Sequence, residues 1–189
     1  HEAYLTRCVV RLFRESRSPQ ALKKSAEFTA SSPRLSVVVC IRNGQNHLLD
    51  LFKALEQQKL EGDWEVIMVD DDSSDSTWRL LADFQRKTSL PFALKTFQVK
   101  NTTAGKKQAL QYAIDQATGS ALVFTDVDCV PASSVWLQRM VEPLEQGQDL
   151  VLGVSLPLLG RTKGLVGALQ AWDALRIVRS YVGWALHGR

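Results

Sequence analysis

Leu35-Ser-Val-Val-Val-Cys40 is followed by the turn-prone stretch through Arg42-Asn-Gly44, and Glu65-Val-Ile-Met-Val69 runs directly into Asp70-Asp-Asp-Ser-Ser-Asp-Ser-Thr77. Two short β-branched runs that end in turn-prone polar clusters read as buried strands with polar loops at their carboxyl ends. Apolar residues at helical spacing follow each of them: Leu48, Leu49, Phe52 and Leu55 after the first, Trp78, Leu80, Leu81 and Phe84 after the second. Ala93 to Val99 is a third strand. A helix around Ala109 to Ala117 leads to a fourth at Ala121 to Thr125, and a helix around Ser134 to Glu145 leads to a fifth at Leu150 to Ser155. Strands alternating with helices in this way predict an α/β fold with a mainly parallel, doubly wound sheet and flanking helices.

The chain has 189 residues, 45% hydrophobic and 23% charged, which is enough to bury a core and excludes a wholly disordered protein. Cys8, Cys40 and Cys129 lie too far apart for a disulfide framework or a thiolate zinc motif, so a reducing, cytosolic setting fits best. His1, His47 and His187 share no motif spacing, which leaves acid-base work to carboxylates. The net charge of +3 is too small to imply nucleic-acid binding and comes from the first 30 residues, where six Lys and Arg face three Glu.

In that opening stretch Tyr4, Leu5, Cys8, Val9, Leu12 and Phe13 recur at helical spacing opposite arginines. Residues 1–33 therefore read as a basic amphipathic helix and a Ser31-Ser-Pro33 hinge, either docked on its own domain or lying at an anionic membrane surface. No apolar run reaches 18 residues, and the start lacks the pattern of a signal peptide, so the chain is expected to begin mid-protein. A second long apolar helix is predicted from Lys163 to Leu186, with Gln170, Asp173, Arg176 and Ser180 on a narrow polar stripe.

A doubly wound sheet binds ligands beyond the carboxyl ends of its strands, and the polar clusters fall there. Asp126-Val-Asp128 follows the apolar run Ala121 to Phe124, so both carboxylates would face the crevice and suit Mg²⁺ or Mn²⁺; the alternative is an Asx turn capping the next helix. Asp70, Asp71 and Asp72 place carboxylates at a strand end, where a base edge or ribose would supply donors, with Asp71 foremost; Asp75 reads as part of a helix cap. Gly105-Lys106 fails as a P-loop because Lys100 and Lys107 stand where Gly and Ser or Thr are required, yet Lys106 can still meet a diphosphate near a helix N-terminus. Neither a G-x-G-x-x-G loop after a strand nor a G-x-S-x-G elbow is present, which disfavours dinucleotide oxidoreductases and α/β-hydrolases.

As a set, the segments Leu35 to Asn43, Val69 to Thr77, Gly105 to Leu110 and Phe124 to Pro131 resemble the family 2 glycosyltransferases in order and spacing, over about residues 34 to 155. The resemblance implies a GT-A type, Rossmann-like nucleotide-sugar-binding domain over residues 34–160 of an inverting transferase. It implies that Ile41 and Arg42 line the base pocket, Asp71, with Asp70 beside it, reads the base, and Lys106 approaches the phosphates. Asp126 and Asp128 would hold ribose and a Mn²⁺ or Mg²⁺ ion, with Asp128 the principal metal ligand. Cys40, Gly44, Asp72 and Cys129 depart from the residues common at those positions.

The expected reaction moves a sugar from a nucleotide diphosphate sugar, a UDP-sugar first among them, to a hydroxyl of a glycan or lipid-linked acceptor with inversion. On this reading residues 161–189 form a connector to an acceptor half that carries the catalytic base beyond Arg189, the chain is a poorly active fragment, and its setting is the cytoplasmic side of a membrane. The alternatives are a non-catalytic nucleotide-binding module and a sugar nucleotidyltransferase. The latter would need a more glycine-rich loop than Ile41-Arg-Asn-Gly-Gln45.

Overall fold

The computed structural model of the protein describes residues 9–11, 34–100, 105–153, 155 and 164–186. Strands β1 (Val9–Arg11), β2 (Leu35–Ile41), β3 (Trp64–Asp71), β4 (Ala93–Val99), β5 (Ala121–Asp126) and β6 (Leu150–Leu152) form one sheet in the order β4-β3-β2-β5-β1-β6. Helices α1 (Leu48–Glu56), α2 (Thr77–Gln85), α3 (Lys106–Gln116), α4 (Trp136–Glu145) and α5 (Leu165–Leu186) complete the described residues.

The four strands β2 to β5 pair in parallel, as their near-continuous apolar runs require when helices cover both faces. On one face α1, α2 and α4 bring Leu51, Phe52, Leu81, Phe84, Leu137 and Val141 onto Val37, Val39, Val66 and Met68. Phe52, fully buried, stacks on Phe84 with ring centroids 4.0 Å apart and meets Phe92 edge-on at 5.9 Å. On the other face Ala109 and Ala113 of α3 pack against Val38, Ile67 and Val69.

The chain steps from β2 to β3 to β4 in one direction and then crosses back to β5 on the far side of β2. A right-handed crossover in that reversed direction must run over the opposite face, and α3 is the helix that makes it. The reversal opens a crevice at the carboxyl ends of β2 and β5.

Two expectations change. Val9–Arg11, placed in the N-terminal helix by spacing, is a strand inserted antiparallel between β5 and β6, with Val10 opposite both Val123 and Val151. Three residues of an amphipathic run satisfy either periodicity, and two bare strand edges favour the extended one. The rest of residues 1–33 lies outside the described residues. The fifth predicted strand ends at Leu152 and joins the sheet through β1, not by pairing with another parallel strand.

No helix among the described residues is long and apolar enough to cross a membrane. In α5, Leu165, Val166, Leu169, Trp172 and Leu175 are all more than half exposed, while Arg176 pairs with Asp173 at 2.8 Å on the polar stripe.

Candidate functional site

The loops after β2 and β3 form one clasped unit. The Asn43 N–H donates to Ser73 Oγ (2.9 Å), and the Ser74 N–H and hydroxyl donate to Asn43 Oδ1 (2.9 and 3.2 Å). The Gly44 N–H donates to Thr77 Oγ1 (2.9 Å), the Gln45 N–H to Asp75 Oδ2 (3.2 Å), and the Ser76 N–H to Gln45 Oε1 (3.0 Å). Asn43 and Asp72 both take left-handed backbone with φ of 53°, a conformation their short polar side chains tolerate. Gly44 is required by close approach, since a Cβ there would lie 2.6 Å from Ile41 Cγ2. Desolvation pushes the Asp75 carboxyl up, but bonds from the Thr77 hydroxyl and N–H and from the Gln45 N–H outweigh it and hold it below the usual carboxylate range. The serines and Asp75 thus fix the rim of the crevice, a role wider than the helix cap expected of Asp75.

Strand pleating decides which predicted residues meet. Cys40 registers with Val69 on β3 and Asp126 on β5, so Cys40, Asp71 and Asp126 share the face that α3 covers. Lys106, the first residue of α3, reaches Asp126 Oδ1 with its Nζ. Arg42 Nη1 lies 4.0 Å from Asp71 Oδ2, with Asp71 2% exposed and the Arg42 side chain 57% exposed. Asp128 follows in the turn after β5, closed by the Cys129 N–H donating to the Asp126 carbonyl (3.0 Å). Desolvation lowers the Lys106 pKa, but its bond to Asp126 and the negative field of Asp126, Cys40 and Asp128 outweigh that and raise it above the usual value. The Cys40 thiol is pushed up to about 12, first by burial, with Asp71 and Asp126 adding to the effect and Lys106 opposing it.

Ile41 and Asp70 are not part of this gathering. Both have the parity of Val37, Val39, Val66 and Met68, and both are fully buried on the face covered by α1, α2 and α4. Asp70 Oδ2 accepts from Gln98 Nε2 (2.9 Å) across to β4, whereas its Oδ1 has no hydrogen-bond partner among the described residues. The helix-capping alternative for Asp126 and Asp128 also fails, because α4 starts at Trp136 behind Val135, with no side-chain cap.

The donor set at the turn fits a divalent cation. One oxygen from each of Asp126 and Asp128 and the Cys129 Sγ lie within 4.8 Å of one another. Two oxygens at about 2.1 Å from a shared ion can stand up to roughly 4.2 Å apart, so small rotamer changes bring both carboxylates onto one Mg²⁺ or Mn²⁺. The thiol was not read from the sequence as a possible ligand, although it adjoins the motif.

The sequence model described as glycosyl transferase family 2 matches residues 36–163, which span every element of the crevice. The chain belongs to glycosyl transferase family 2. Among curated relatives, it is 24% identical over 120 residues to a dolichol-phosphate mannosyltransferase of Pyrococcus furiosus, covering 64% of this chain and 32% of the relative. It is 30% identical over 121 residues to the GalNAc(5)-diNAcBac-PP-undecaprenol beta-1,3-glucosyltransferase of Campylobacter jejuni, covering 64% and 38%. The matched stretch thus spans about a third of these relatives' length. The structure of S. aureus TarS 1–349 in complex with UDP superposes with a TM-score of 0.52 at 23% identity, covering 60% of this chain and 32% of that one, which shows that the family 2 chain has the GT-A fold.

Proposed function

We propose that this family 2 chain is the nucleotide-sugar side of an inverting glycosyltransferase that takes its sugar from a UDP-sugar and delivers it to a hydroxyl of a glycan or lipid-linked acceptor. The observation that carries the reading is the convergence of two cations, Arg42 and Lys106, with Asp71, Asp126 and Asp128 at one crevice of the sheet. Uracil presents an N–H that a carboxylate in the position of Asp71 accepts, with Arg42 flanking the ring. The Lys106 ammonium turns from Asp126 to the diphosphate oxygens and offsets the charge that grows on them as the sugar–phosphate bond breaks. Asp126 and Asp128 would hold Mn²⁺ or Mg²⁺, which when bound would supply Lewis-acid neutralisation of the same leaving group. Displacement by the acceptor hydroxyl from the opposite side of the anomeric carbon forms the new glycosidic bond as the sugar–phosphate bond breaks, releases UDP, passes the hydroxyl proton to a base carboxylate of the acceptor-binding part, and inverts the configuration.

Residues 34–160 then form the donor domain, and α5 leads towards an acceptor-binding part, a layout supported by relatives much longer than the matched stretch. The undecaprenol-linked substrate in one relative's name and the exposed apolar residues of α5 support a site at a membrane surface. The test is calorimetry of this chain with UDP, GDP and ADP in Mn²⁺, paired with NMR of the anomer made from a UDP-sugar by the full-length protein. Preference for UDP and a product of opposite anomeric configuration are expected; indifference to all three nucleotides would refute the reading.

A further inference from the structure

We infer that Cys129 is a third donor to the ion held by Asp126 and Asp128, and that it turns this site away from Mg²⁺ and towards thiophilic divalent ions. The inference rests on the metal reading above and deepens it.

Three features support it. The turn from Asp126 to Cys129 is closed by its own backbone bond of 3.0 Å, which sets the first and fourth side chains of the turn beside each other. The Sγ and the two carboxylate oxygens lie within 4.8 Å of one another, and ligands around one tetrahedral ion are about 3.5 Å apart, so the three can close on a single centre with rotamer changes alone. Asp126 already attracts a cation, the Lys106 ammonium, which the ion would have to displace.

The chemistry of the set then dictates preference. Mg²⁺ demands oxygen ligands and gains little from sulfur, whereas Mn²⁺ tolerates it and Co²⁺, Zn²⁺ and Cd²⁺ favour it. On coordination the thiol binds as thiolate and its proton passes to water. Cys129 is half-buried, so the sulfur is held near the turn while Asp128 stays exposed to receive the ion.

The experiment is a Co²⁺ titration of the chain followed by absorption and calorimetry, in the presence and absence of UDP, for the wild type, Cys129→Ser and Cys40→Ser. The wild type and Cys40→Ser should show a near-ultraviolet thiolate-to-cobalt band that Cys129→Ser lacks while still binding Co²⁺ through its carboxylates. The affinity ratio of Cd²⁺ to Mg²⁺ should fall in Cys129→Ser alone, with circular dichroism unchanged. Co²⁺ binding without a thiolate band, or an unchanged Cd²⁺ to Mg²⁺ ratio, overturns the inference and leaves the carboxylate site standing. Absence of any Co²⁺ binding, with or without UDP, overturns both.

Discussion

The Lys106 ammonium at the head of α3 rests on the Asp126 carboxylate at the end of β5. One lysine therefore covers a carboxylate that the proposed metal would need, and under the proposed function it is also the cation that meets the diphosphate. The two ligands would then be coupled through it. A nucleotide that draws Lys106 away exposes Asp126 to the metal, so each should favour the other.

Replacing this lysine separates the two effects. Lys106→Met should weaken UDP binding by about 1.5 to 3 kcal/mol, the range for bonds to charged groups, while Mn²⁺ alone binds more tightly than to the wild type. Calorimetry with each ligand separately reads both. Unchanged Mn²⁺ affinity would show that the ion pair does not obstruct the metal.

The two neighbouring aspartates of β3 should behave differently because they face opposite sides of the sheet. Asp71→Asn is expected to weaken UDP binding by about 1.5 to 3 kcal/mol with the fold intact. Asp70→Asn keeps an acceptor for Gln98 and should leave UDP affinity within about twofold of wild type, well under the roughly tenfold that 1.4 kcal/mol represents. Equal losses in both variants would contradict the assignment of faces.

Far from the crevice, Glu65 is 1% exposed and accepts from Ser36 Oγ (2.6 Å), the Thr118 N–H (2.7 Å) and the Thr118 hydroxyl (2.9 Å), with Lys95 Nζ at 2.7 Å. Burial pushes this carboxyl up, but the bonds from Lys95, Ser36 and Thr118 outweigh it and set it below its ordinary value of 4.5. A depressed folded-state pKa contributes stability that is fully present above the unfolded value and lost as pH falls through the folded one. Denaturant melts should therefore weaken below about pH 4.5 in the wild type. Glu65→Gln should be less stable by about 1 to 2 kcal/mol at pH 7 and lose much of that acid dependence. An unchanged pH profile in the variant would remove Glu65 as its source.

Much of this architecture is legible in the sequence. The apolar runs within 35–41, 64–71, 93–99 and 121–126 give way to turn-prone polar clusters, so their ends come out within one or two positions. Sidedness is not legible. A parallel strand buried on both faces shows no alternation, so nothing in Val66 to Asp71 says which parity lies under α3, and Asp70 reads as well as Asp71. The partnership of Asn43 with Ser73 and Ser74 is equally silent, because it joins loops about 30 residues apart. Val9–Arg11 escaped because a partner strand, not local spacing, decides its conformation.

The exposed apolar residues of α5 should bring the chain to lipid. Co-sedimentation with anionic vesicles is expected to retain it at both low and high salt, since the contact is chiefly apolar, and Trp172→Ser with Leu169→Ser should release it. A wild-type chain that stays in the supernatant would contradict a membrane-surface setting.

The central claim, a metal-assisted nucleoside-diphosphate site at the ends of β2, β3 and β5, is tested most directly by calorimetry of UDP with and without Mn²⁺ on the wild type and Asp128→Asn. The wild type should bind UDP more tightly with Mn²⁺ present. Asp128→Asn, which loses the charge that holds a hard cation, should bind UDP equally in both conditions, at the wild type's metal-free affinity. Identical Mn²⁺ enhancement in the two proteins, or none in either, would contradict the account.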